Sequence, residues 1–416
     1  MTPEIKQRIE QIRRGEVPEG YKKTKVGIVP NEWVETKFSD LFVSTSEFTD
    51  DLEKYPLYSL TIEEGITAKT ERYERSHLVK KDNAYKIVCP NDFAYNPMNV
   101  RFGAVARHKG TNKVSVSGYY DIFTTRLTSD LSFMDSFLIS NKMIAYYNKV
   151  SIGSLIEKQR VHFSQFMDFC LPIPSEDERQ KIAEILSAHD KIIALKEKLI
   201  EEKMKQKKAL MQQLLTGKKR LPGFDGEWTP IKLKKLLKER KTYSQKGLEY
   251  PHVTLSTDGI YAKSERYDRD HLVKDENKEY KITHRGDICY NPANLKFGVI
   301  CVNDFGDAIF SPIYVTFEIQ KDVDRDFLSN YLMRWDFINA VRKYEEGTVY
   351  ERMAVKPEDF LKFEILLPPI EEQRAISKIL SFADKEIKLL QKELEQEKQK
   401  KKALMQLLLT GIVRVK

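Results

Sequence analysis

The sequence predicts an α+β protein: two mixed α/β modules in tandem, each followed by a long helix, with the two helices paired with each other. Three observations carry this reading. Residues 69–80, KTERYERSHLVK, return at 263–274 as KSERYDRDHLVK, with nine of twelve positions identical. Residues 95–103, YNPMNVRFG, return at 290–298 as YNPANLKFG. Residues 207–217, KKALMQQLLTG, return at 401–411 as KKALMQLLLTG, with one difference. The offset is 194 or 195 throughout. A period that long is a duplication of whole domains, not a solenoid repeat.

Taken in order, residues 1–20 form an N-terminal extension without a counterpart in the second half. The first module, 21–174, opens on a Trp-bearing lead-in around Trp33. It continues through short β-rich runs such as AYKIV at 84–88, separated by Gly and Asn-Pro punctuation. A Pro-rich exit at Leu171, Pro172, Ile173 and Pro174 hands over to the first helical segment, 175–217. The helix itself is expected over 176–215. Glu176, Asp177 and Glu178 suit the positive end of its dipole, and Gly217 is a natural stop. The second module, 218–369, repeats the plan with Trp228, a strand-like IYVTFEI run at 313–319, and an exit at Leu367, Pro368 and Pro369. The second helical segment, 370–416, carries a helix over 371–409, stopped by Gly411.

Both helices carry heptad stripes. On the first, Ile185, Ile192 and Leu199 are spaced by seven, as are Leu186, Ile193 and Ile200. On the second, Ile376, Ala383 and Leu390 repeat by seven, and so do Leu380, Ile387 and Leu394. Such a seam, held over about three heptads, belongs to a coiled coil. Some 40 residues at ~1.5 Å each make rods of roughly 60 Å. A rod of that length cannot hide its stripe inside one small module, and the other helix is the simplest partner.

Composition narrows the function. The 416 residues are 41 % hydrophobic and 32 % charged, enough for real cores with a heavily charged surplus. A net charge of +8 points toward a polyanionic partner. Cys89, Cys170, Cys289 and Cys301 are far apart, which fits reduced buried thiols and argues against zinc ligands or a disulfide framework. His77 and His271 lack ligand-spaced neighbours, so no metal is expected. No signal-peptide apolar region and no membrane-length apolar run is seen, so the protein is expected in the cytosol.

The order of parts and several motifs resemble the specificity subunit of type I restriction–modification systems over essentially the whole chain. Tyr95-Asn96-Pro97-Met98-Asn99 with Phe102-Gly103-Ala104 resembles a recurring segment of that family's target recognition domains. Phe310-Ser311-Pro312-Ile313-Tyr314 is similar to its Ser-Pro-x-Tyr strand, although the first module has Ser117-Gly118 there. Leu367-Pro368-Pro369-Ile370-Glu371-Glu372-Gln373-Arg374-Ala375-Ile376 resembles its module-to-helix junction, and Asp177-Glu178-Arg179-Gln180-Lys181-Ile182 is a looser copy.

The resemblance implies two target recognition domains, each reading half of a bipartite double-stranded DNA site. It implies an antiparallel coiled coil that spaces the halves, two modification (methyltransferase) subunits docked along it, and motor-nuclease restriction subunits that join for cleavage. S-adenosylmethionine, ATP and Mg would be used by those partners and none by this chain, which would be non-catalytic and in contact with no membrane. The near-identity of the repeated segments further suggests half-sites that are similar inverted sequences.

For DNA contact, each module offers a basic stretch interleaved with aromatics. Lys69, Arg72, Arg75, Lys80 and Lys81 are answered by Lys263, Arg266, Arg269 and Lys274, suited to phosphate. Asn96, Asn99 and Arg101, with Asn291, Asn294 and Lys296, have base-reading chemistry on a turn-like segment, although an Asn-Pro turn is often purely structural. Should those segments be scaffold, the search for base contacts moves to 107–113 and 303–307. A competing reading is a diverged DNA methyltransferase or nuclease with its own active site. Against it, the second Pro and the aromatic of an Asn-Pro-Pro-aromatic motif are missing in both copies, and no Gly-rich cofactor loop follows a strand. A coiled-coil scaffold without a DNA role would not need two β-rich modules with matching basic loops.

Overall fold

The computed structural model describes residues 2–68, 84–154, 159–245, 249–263, 279–344 and 354–415. The chain divides into two compact units, one made of 1–197 with 393–416, the other of 198–392.

In the first unit an antiparallel sheet runs in the order Val105–Arg107, Phe93–Tyr95, Asp121–Thr125, Phe42–Ser44. Its central strand, FAY, is buried at all three residues, which is why it reads as a continuous apolar run. A second sheet orders Val114–Ser117, Tyr85–Val88 and Phe48–Thr49. Helices Leu131–Phe137 and Asn141–Val150 supply Phe133, Met134, Phe137, Met143 and Tyr147 to the core. Around Phe166 the rings of Phe38, Phe123 and Tyr95 pack at 5.0, 5.3 and 4.9 Å between centroids. Leu186 of the first long helix and Leu408 and Leu409 at the end of the second complete the same core.

The second unit repeats this layout. Ile300–Val302, Ile288–Tyr290, Val315–Ile319 and Leu237–Glu239 form its larger sheet; Ala308–Phe310, Glu279–Thr283 and Tyr243–Gln245 form the smaller. Tyr290, Phe317 and Phe360 stack at its centre. The strand expected over 313–319 starts only at Val315. Residues 311–314 make a turn closed by the Tyr314 amide on Ser311 O, 3.0 Å, and Pro312, which has no N–H for a ladder, is at home in it. The first module makes the same turn, with the Tyr120 amide 3.0 Å from Ser117 O. The turn therefore forms with either Ser-Pro or Ser-Gly.

The long helices span Glu176–Leu214 and Ile370–Leu408. Gly217 and Gly411 follow in the left-handed conformation, φ +69° and +73°, and Lys219 and Val413 reach back to the carbonyls of Gln213 and Leu407. A Cβ on Gly411 would collide with Pro30 Cδ, so only glycine fits there. Residues 1–20 contribute helix Pro3–Arg13, whose Arg8 donates to Ile412 O at 2.8 Å, while Tyr21 donates to Gly411 O at 2.8 Å. Arg8 of the extension and Tyr21 of the module thus satisfy carbonyls just past the end of the second helix.

Within each unit the two helices pair antiparallel. In the first, His189 bonds Glu397, Lys196 reaches Glu393 at 2.7 Å, and Lys401 and Lys398 cross to Asp190 and Glu197. In the second, Lys203 meets Glu386 at 2.6 Å and Lys207 meets Asp384 at 2.5 Å. Leu186 and Ile200 are buried and Ile193 half-buried; on the second helix Ile376, Leu380 and Ile387 are buried and Ala383, Leu390 and Leu394 half-buried.

The other stripe of the first helix departs from expectation. Ile185 is half-buried against the module core, but Ile192 and Leu199 are each 39 % exposed. Their places between the helices go to His189, Lys196 and Lys203. A lysine can lay its methylene stem over apolar surface while its ammonium meets a carboxylate.

Candidate nucleic-acid interface

The repeated Tyr-Asn-Pro segment is a clamp. Tyr95 is buried and its hydroxyl donates to Val161 O at 2.8 Å; Tyr290 does the same to Val355 O at 3.0 Å. Burial pushes both phenols well above their ordinary titration range, so they stay donors. The Val161 and Val355 amides return the bond, to Pro97 O and Pro292 O. Asn96 and Asn291 are buried, and each side-chain carbonyl accepts two backbone amides, those of Met98 and Asn99 or of Ala293 and Asn294. These two asparagines are thus Asx-turn residues that fix the loop, and their amide carbonyls are already occupied.

What the clamp holds outward is the rest of the motif. Asn99 and Asn294 are exposed. Short 3-10 turns, Val100–Phe102 and Leu295–Phe297, then end on Gly103 and Gly298, both left-handed. Arg101, expected as a base-reading residue, is buried and donates to Gln159 Oε1 at 2.9 Å, whereas Lys296 is half-buried. Lys263 is half-buried, its amide on His252 O. Lys69, Arg72, Arg75, Lys80, Lys81, Arg266, Arg269 and Lys274 lie outside the described residues, as do His77 and His271.

Beside each clamp lies a cleft, between a β-hairpin and the outer strand of the larger sheet. In the first unit it holds about 350 Å³ and is charged: Arg107 forks onto Asp135 at 2.6–3.0 Å and also reaches Asn91, with Lys109, Glu63 and Glu64 nearby. The second unit's cleft, about 500 Å³, is lined instead by Val302, Ser329, Met333, Phe305 and Tyr261 with Asp258 and Asp304. Asn303, in the segment named as the alternative for base contact, is fully buried and spends its amide on His284 O and Gly306 O. Equivalent clefts with different linings are where the two modules diverge in chemistry.

No group of three or more His, Cys, Asp or Glu able to hold a metal occurs among the described residues. The four cysteines are free; Cys289 is buried, and the other three are half-buried rather than buried as expected. Burial raises the Cys289 thiol well above its usual value and Cys301 to about 12, which removes thiolate chemistry near neutral pH. No helix among the described residues is long and apolar enough to cross a membrane.

Comparison with known proteins agrees with this architecture. The family profile for the type I restriction modification DNA specificity domain matches residues 103–203 and 226–399. A Methanocaldococcus jannaschii protein assigned as the MjaX specificity subunit of a type I restriction enzyme is 25 % identical, over 96 % of this chain and 97 % of its own length. The type I restriction enzyme MjaVIII specificity subunit of the same organism is 27 % identical over 60 % of this chain and 64 % of its own length. Among solved structures, a chain from a type I restriction–modification assembly superposes with TM-score 0.55 at 14 % identity, covering 92 % of this chain and 99 % of its own. The S subunit of such a system from M. genitalium gives 0.51 at 14 % identity, covering 90 % and 96 %. At these identities the structural likeness speaks to the fold.

Proposed function

The chain belongs to the type I restriction–modification DNA specificity family, a family of DNA-recognition rather than catalytic subunits, and from that premise we propose that each unit reads one half of a bipartite duplex target. The observation that supports this most is the duplication: two units present equivalent clamps and clefts, differing in lining chemistry, and each contains its own antiparallel pairing of the long helices. Basic residues around 69–81 and 263–274 supply sequence-blind affinity for phosphate, and the cleft-side loops supply discrimination. The helix pair fixes the separation of the halves and docks two modification subunits, with motor-nuclease subunits joining for cleavage. S-adenosylmethionine, ATP and Mg belong to those partners.

The test is transfer chemistry. The purified chain, alone and with its modification subunits, is incubated with labelled S-adenosylmethionine and duplex DNA. Label should enter DNA only when the modification subunits are present. Transfer by the chain alone would place an active site in it and overturn the proposal.

A further inference from the structure

Phe102 and Phe297 occupy the same place in the two units, one residue before the left-handed glycine, and the two residues stay 50 % and 59 % exposed. Single exposed apolar residues are ordinary, but these sit in a built setting. The turn beneath is fixed by the Tyr95 and Tyr290 hydroxyls and by the Asn96 and Asn291 Asx bonds. Preceding residues Val100 and Leu295 are buried, which anchors the base of each turn. A cation lies over each ring: the Arg101 guanidinium 4.5 Å from the Phe102 centroid, the Lys296 ammonium 5.3 Å from that of Phe297. Exposed Asn99 and Asn294 stand beside them. The result is a rigid, cation-backed aromatic prong, present twice although the intervening positions differ.

We propose that Phe102 and Phe297 are wedges that stack against base pairs at a step within each half-site. This rests on the reading of the chain as a DNA-specificity subunit. An aromatic face stacks on any base, so the ring suits both modules whatever each one reads. Apolar side chains wedged between base steps are a known way for proteins to unstack and bend a duplex. The cation at each ring keeps the prong electrostatically compatible with a polyanion, where a bare apolar tip would have to displace counter-ions without compensation.

The test uses the complex with its modification subunits and a fluorescein-labelled mixed-sequence duplex, with anisotropy read at several salt concentrations. The F102A/F297A complex should bind at least roughly tenfold more weakly. Its slope of log affinity against log salt should be unchanged, because the phenylalanines neutralise no phosphate. F102W/F297W should keep wild-type affinity, which separates loss of stacking from loss of fold. Unchanged affinity in F102A/F297A would overturn the wedge and leave the DNA reading standing. Failure of the unsubstituted complex to bind the duplex would instead sink the DNA reading itself. Loss of modification subunits from the alanine variant would make the ring a protein contact and overturn the proposal.

Discussion

Arg414 and Glu178, 236 positions apart, form a two-pronged ion pair: Arg414 Nε lies 2.6 Å from Glu178 Oε1 and Nη2 2.9 Å from Oε2. Trp33 Nε1 donates to the same carboxylate at 3.2 Å. The second unit repeats the arrangement, with Arg220 forked onto Glu372 at 2.7 Å and Trp228 donating at 3.1 Å. In each unit the arginine follows one long helix and the glutamate opens the other. The segment after the second helix therefore closes the first unit just as the link after the first helix closes the second.

The Glu178 side chain is nearly inaccessible, so Arg414→Ala leaves a buried carboxylate without its charge partner. Breaking a buried pair from one side costs about 3 kcal/mol or more. A urea titration should show the midpoint fall by that equivalent, with Arg414→Lys intermediate because one ammonium cannot replace the fork. An unchanged midpoint would mean the pair is solvated and carries no stability.

Lys142 has its ammonium buried 5.4 Å from the Trp33 ring, with no hydrogen-bond acceptor among the described residues, and burial lowers it to about 8. Below pH 8 folded and unfolded chains are both protonated, and the cost of burying the charge is complete. As pH rises from 8 toward 10.5 the folded chain sheds its proton first, so stability increases. Lys142→Met should stabilise the protein at pH 7 by up to about 3 kcal/mol and abolish that rise. Melting curves at pH 7 and pH 9.5 check both parts; a variant that melts lower at pH 7 contradicts the assignment.

Arg72 and Arg266 test the phosphate-contact proposal. Replacing both with Ala in the assembled complex should weaken binding to every duplex alike. The log–log salt slope should become shallower by about 0.9 for each phosphate no longer neutralised. Equal slopes in the two complexes would take this stretch off the phosphate face.

Inserting one heptad into each long helix keeps the seam in register and adds ~10 Å of helix. If the helices act as the ruler, the gap between half-sites should lengthen while the bases read stay the same. A changed half-site with an unchanged gap would refute the ruler.

Much of this architecture was legible in the sequence, because duplication, Pro-rich exits and stop glycines mark element ends directly. The second helix's seam was legible too, since Ile376, Leu380, Ile387 and Leu394 are apolar. The first helix's seam was half hidden: Lys196 and Lys203 read as surface residues, and nothing local says that carboxylates await them across the pair. Asn96 and Asn291 were ambiguous because one amide suits both an adenine edge and an Asx turn; only burial decides for the turn. Phe102 and Phe297 carry only a faint sequence signal, identity in both copies, because exposure is a property of the fold.

Long-read sequencing that maps methylated bases in cells expressing this chain with its modification subunits reads the target directly. Two short defined segments separated by a fixed nonspecific gap are the expected target. Near-identity of the repeated segments by itself favours like halves. The structure buries Tyr95, Asn96, Tyr290 and Asn291 as scaffold and gives the clefts different linings around Arg107 and Val302, so the halves should differ. A single uninterrupted recognition sequence, or methylation without any shared motif, would contradict two-module reading.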